Sequence, residues 1–102
     1  MLDDNTILEL KDKYARHRLF LAATPEGDFV LRSPTKAELK KFIDDQENSK
    51  SAAMQSLVEN CTVYPDRAAL NKLLESDPGF LLQFSKKIQD LTVVEDLQGK
   101  KL

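Results

Sequence analysis

Between Arg18 and Asp45 the spacing of apolar residues changes period once. Arg18-Leu19-Phe20-Leu21-Ala22-Ala23-Thr24 reads as a strand, Pro25-Glu26-Gly27 as a turn, and Asp28-Phe29-Val30-Leu31-Arg32 as the returning strand. Pro34 cannot donate to a sheet ladder, and Thr35 with Glu38 has the T-x-x-E spacing of a capping box, so a helix starts there. An isolated hairpin is marginal in water and needs helices to cover it. On one assignment of its faces, Leu19 and Leu21 point inward with Phe29 and Leu31. Arg18, Phe20, Val30 and Arg32 then form a second face, covered by a helix or by a partner.

The remaining segments carry helical periodicity. Asp3-Asp4-Asn5 offers capping oxygens to a first helix, about Thr6 to Ala15, with Ile7, Leu8, Leu10 and Tyr14 as its apolar residues. The second helix, about Thr35 to Glu47, has Leu39, Phe42 and Ile43 opposite its lysines and aspartates. Asn48-Ser49-Lys50-Ser51 is a polar break. The third, about Ala52 to Asn60, carries a stripe of Met54, Leu57, Val58 and Cys61. Tyr64-Pro65-Asp66 changes direction and caps a fourth, about Arg67 to Glu75, which presents Leu70, Leu73 and Leu74. Ser76-Asp77-Pro78-Gly79 stops it and opens a last helix, about Gly79 to Leu91, with Phe80, Leu81, Phe84 and Ile88. Beyond Leu91 the pattern fades, and residues 92–102 read as a flexible tail. The expected fold is α+β but mostly α: one hairpin, preceded by a short helix and followed by three to four packed helices, in a single domain over residues 1–91.

Composition narrows function mainly by exclusion. A chain of 102 residues, 41% hydrophobic and 31% charged, can bury one core without metal or disulfide support. Its 17 acidic and 15 basic residues are interspersed, which gives no general attraction to nucleic acid. Arg16-His17-Arg18 is a small basic cluster that reads as solvated charge, with a weak anion-binding edge as the alternative. The Met1-Leu2-Asp3-Asp4 start lacks the basic and apolar regions of a secretion leader, and no apolar run is long enough for a membrane span, so a reducing cytoplasm is the expected compartment. The lone Cys61 reads as a small buried apolar residue.

Catalytic chemistry is not spelled out. Asp44-Asp45 and Glu95-Asp96 are adjacent pairs whose members diverge on a helix, and His17 has no nucleophile placed beside it. One histidine and one distant cysteine do not make a metal site, and the isolated glycines make no phosphate loop. The reading is therefore no enzyme, no cofactor and no metal. What stands out is a crowd of large apolar residues, Phe80, Leu81, Leu82 and Phe84, immediately after Pro78-Gly79. One narrow helix stripe cannot hide all four, so they are the candidate partner-binding residues.

The order of elements resembles the small tail assembly chaperones of long-tailed bacteriophages and related prophages. The resemblance is carried by the helix ending near Lys13-Tyr14, the strand closing on Phe29-Val30-Leu31-Arg32, and the Ser33-Pro34-Thr35 start of Ala37-Glu38-Leu39-Lys40-Lys41-Phe42. It continues through Asn60-Cys61-Thr62-Val63-Tyr64-Pro65-Asp66 and the Pro78-Gly79 helix, from about Thr6 to Leu91. It implies a non-enzymatic protein of the host cytoplasm that binds the tape measure protein, keeps its apolar helical surface in solution and helps recruit tail tube subunits. Self-association is left open. The alternative is a small phage-encoded inhibitor or adaptor that docks on a host protein through the hairpin edge and acidic helix faces.

Overall fold

The computed structural model describes residues 2–92, and of the tail read at residues 92–102 all but Thr92 lies outside them. Five helices and a three-stranded antiparallel sheet make an α+β fold dominated by helix. In chain order they are α1 (Asp4–Lys13), β1 (Leu19–Thr24), β2 (Gly27–Arg32), α2 (Lys36–Asp45), α3 (Lys50–Cys61), β3 (Thr62–Tyr64), α4 (Arg67–Ser76) and α5 (Gly79–Asp90). Four helices begin at a side-chain cap. Asp3, Thr35, Ser49 and Asp66 each accept the amide of the residue three positions on, which satisfies a donor the helix cannot use. At α2 the box is complete: the Thr35 hydroxyl accepts the Glu38 amide, and the Glu38 carboxylate accepts the Thr35 amide. Ser49, within the polar break of the sequence, is thus the start of α3.

The hairpin closes one residue tighter than its turn sequence implies. Thr24 pairs with Gly27, so the loop is Pro25-Glu26 alone, and Gly27 belongs to β2. Gly27 sits at φ 114°, a conformation that suits a residue without a Cβ. The Thr24 hydroxyl binds the turn on both sides, donating to Gly27 O at 2.7 Å and accepting the Glu26 amide at 3.2 Å. Shortening the loop by one residue changes the register, which corrects the expected faces. Phe20 lies opposite Leu31 and Ala22 opposite Phe29, while Leu21 lies opposite Val30 and Leu19 opposite Arg32. Leu19 and Leu21 therefore share a face with Val30, not with Phe29 and Leu31.

A third strand, β3, adds to the free side of β2, with Val30 opposite Tyr64 and Leu31 opposite Thr62. Val63 is the extra residue of a bulge between those pairs, and the Tyr64–Pro65 peptide bond is cis.

The two sheet faces meet different helices. Phe29 and Leu31 face the main core with Phe42, Leu57, Val58, Cys61, Leu70, Leu73, Phe84 and Ile88. Phe29 and Phe84 set their rings 5.8 Å apart and tilted, which joins the sheet to α5. Helix α3 is central, packed between α2 and α5, and Ala53, Leu57, Val58 and Cys61 are its buried residues. Leu39, Met54 and Leu74, expected in the core, pack against it while partly exposed. Ile43, also expected there, is 56% exposed. Phe42 is the buried residue of α2, which packs on α3, and the next residue is turned toward solvent. The other sheet face is covered by α1, beneath which Val30 is buried apart from the main cluster.

Candidate protein-binding surfaces

Helix α1 is a loosely seated cover. None of its residues is fully buried. Its junction with the sheet, in contrast, is pinned. The His17 amide donates to Tyr14 O, and the His17 Nδ1–H donates to Ser33 O at 2.7 Å. Ser33 also accepts the Arg18 amide through its hydroxyl, and its own amide donates to Arg18 O at 2.8 Å. His17 is thus a structural clasp between the α1–β1 turn and the end of β2.

Between α1 and the outer face of the hairpin lies an open cavity of about 120 Å³, lined mainly by Ile7, Leu10, Leu19, Leu21 and Val30. Its lining is almost wholly apolar. The volume approaches the roughly 150 Å³ of a dry cavity able to take one benzene ring. At its margin Leu21 is 50% exposed, and on the same helix as Ile7 and Leu10 stands Leu8, 59% exposed. The sequence names Leu8 among the apolar residues of the first helix without giving it a face. Its position directly after Ile7 is the signal that both could not face inward.

The four candidate residues on α5 do not form one surface. Phe84 is only 3% exposed, packed on Phe29 and, at 5.7 Å, on Phe80. That placement corrects its assignment as a partner contact: the side chain is core. Phe80 and Leu81 flank the core half-buried. Leu82 alone points out, at 61%, beside exposed Gln83 and one turn before exposed Lys86. The helix period has spread the crowd around the axis, so neighbours on both sides absorb most of it.

Polar organisation centres on Arg32. Its guanidinium grips the Glu38 carboxylate with two bonds, 2.7 and 2.8 Å, and donates to Asn60 O at 2.9 Å and Ser33 O at 3.1 Å. One side chain therefore ties β2, the start of α2 and the end of α3. The Arg32 bonds hold the Glu38 carboxyl down at about 2, against the desolvation that raises it, and Arg32 itself is raised by the same pair. Cys61 lies fully buried near this link, and burial pushes its thiol up to about 12, which makes it inert rather than nucleophilic. Among the described residues no group of three His, Cys, Asp or Glu is close enough to hold a metal ion, and no helix is long and apolar enough to cross a membrane.

The fold is a small α+β domain with an open apolar cavity between α1 and the hairpin. The chain belongs to the family described as a domain of unknown function, DUF6848, whose model matches residues 10–97. That match takes in the hairpin and α2 to α5 but begins inside α1. The fold is shared with an uncharacterised protein, rbstp2171, from Bacillus stearothermophilus. The two are 21% identical with a TM-score of 0.72, over 93% of this chain and 99% of that one. No curated protein sequence matches the chain.

Proposed function

We propose that this chain is a non-catalytic holding protein that keeps an apolar helical segment of a larger protein in solution. The observation that carries the reading is the open apolar cleft under α1. A covering helix with no buried residue can shift at little cost, and a partner helix could set one large side chain into the cleft, the helix-in-groove mode. Leu21 at its margin, and the exposed Leu8 on the same helix as Ile7 and Leu10, would supply further apolar contact. Leu82, with half-buried Phe80 and Leu81 beside it, offers a second and smaller contact on α5. By the sequence resemblance, the client is the tape measure protein of a long-tailed phage, with tail tube subunits recruited afterwards, in the host cytoplasm.

The test is co-expression with a candidate tape measure protein of a long-tailed phage, with its soluble fraction as the readout. Wild type should raise that fraction, Leu8→Asp should abolish the rise while folding normally, and Leu82→Asp should reduce it less. Equal solubility with wild type, with Leu8→Asp and with no chaperone at all sinks the proposal.

A further inference from the structure

The sheet has two edges, and they are built differently. β3 is three residues long, bulged, and followed at once by Pro65, the devices that keep an edge from pairing. β1 has none of these protections. It runs six residues, Leu-Phe-Leu-Ala-Ala-Thr, with no charge, no proline and an unbroken register against β2. Phe20, Leu21 and Ala23 are exposed along it. The direction of its free backbone groups follows from one bond. Ser33 N–H donates to Arg18 O, so Arg18 faces β2, and by the antiparallel alternation Phe20, Ala22 and Thr24 do too. Leu19, Leu21 and Ala23 then present their N–H and C=O groups outward, away from the sheet.

We propose that β1 pairs with β1 of a second copy of this chain, antiparallel and centred on Leu21, to make one six-stranded sheet across a two-fold axis. Three outward residues spaced by two are self-complementary about the middle one. Leu21 lies opposite Leu21 of the other copy and Leu19 opposite its Ala23, and no outward group in the strand is left unpaired. Phe20 then faces the small Ala22 across the junction, a large residue against a small one. Charge agrees with the orientation. Antiparallel pairing brings the β1 entrance, with exposed Arg16, to the hairpin turn of the other copy, with exposed Glu26. Parallel pairing would set like against like. The protected β3 edge closes the assembly at two copies rather than an open fibre. The pairing also places the two α1 clefts side by side, because Leu21 lines each of them.

The test reads oligomeric state and stands apart from client binding. Light scattering on purified wild-type protein should give a dimer mass. Leu21→Cys should cross-link to itself on mild oxidation. Directly opposed residues of a hydrogen-bonded pair lie about 5.5 Å apart, within the span a disulfide bridges. Ala23→Cys should not, since its counterpart lies opposite Leu19, and buried Cys61 does not compete. Leu21→Lys and Leu21→Glu should each be monomeric with unchanged circular dichroism, and an equimolar mixture of the two should recover the dimer. A wild-type monomer throughout the micromolar range overturns the proposal. A dimer in which Ala23→Cys cross-links as readily as Leu21→Cys, or in which the Leu21 charge variants remain paired alone, overturns it as well.

Discussion

Replacing Glu38 by glutamine removes one charge from the Arg32 link and almost nothing else. Glutamine keeps the shape and can still accept the Thr35 amide, so the capping box survives and the ionic contribution is isolated. A carboxyl moved from 4.5 to about 2 is stabilised in its charged form by roughly 3 kcal/mol, at about 1.4 kcal/mol per unit. The pair is not sealed from water: its side chains retain 12% and 23% of their exposure, and screening trims the contribution to about 1–2 kcal/mol. Glu38→Gln should lose that amount near neutral pH, a fall of roughly 4–8 °C in Tm for a domain of this size. The sign with pH follows from the depressed value. The stabilisation is complete above about pH 4.5 and disappears as the pH falls through about 2, so the stability curves of wild type and Glu38→Gln should converge on acidification. Urea unfolding followed by circular dichroism across that range measures it, and an Arg32→Met, Glu38→Gln double-mutant cycle gives the coupling directly. A gap under about half a kcal/mol near neutral pH, or one that does not narrow in acid, refutes the reasoning.

Leu57, at the middle of α3 and 3% exposed, should cost about 2–5 kcal/mol when cut to alanine, read from urea midpoints; a loss under about half a kcal/mol would mean α3 is peripheral. Gly27→Ala meets no atom within 4 Å, so its cost is purely that of holding φ 114° with a side chain, about 1–2 kcal/mol by the same measurement, and a neutral result would show the turn relaxes freely. Cys61 should resist thiol reagents in the native protein and react only at the rate of unfolding; rapid native labelling would contradict both its burial and its raised thiol.

The helices were legible because their signals are local. Thr35 with Glu38, and Asp66 after Tyr64-Pro65, announce a helix from within a few residues, and the structure uses each as a cap. Ser49 carried the same chemistry but lay among polar residues with no apolar contrast, so it read as a break. β3 was illegible for the opposite reason. Thr62-Val63-Tyr64 is too short for a period, and it is a strand only because β2 lies beside it. Ile43 marks a third kind of failure. It follows the apolar Phe42 by one position, and which of two adjacent residues turns inward depends on where the next helix packs. Arg32 read as part of the hairpin's second, mixed face, yet its partners Glu38 and Asn60 come from two other elements.

The hairpin shows how a local ambiguity becomes a functional one. Pro25-Glu26-Gly27 as a three-residue turn puts Leu21 on the face of Leu31; Pro25-Glu26 as a two-residue loop puts Leu21 opposite Val30. In the first case Leu21 would be a core residue. In the second Phe29 and Leu31, with Ala22 beside them, carry the hairpin's share of the core, and Leu21 stands half-exposed where an open cleft meets the edge strand of the described sheet. Because that position lines the cleft and lies on the edge strand, substitutions at Leu21 perturb cleft and edge together, whereas Leu8 is on α1 and not on the strand. Client binding lost in Leu8→Asp with the dimer intact, and a dimer lost in Leu21→Lys, would separate the two surfaces residue by residue.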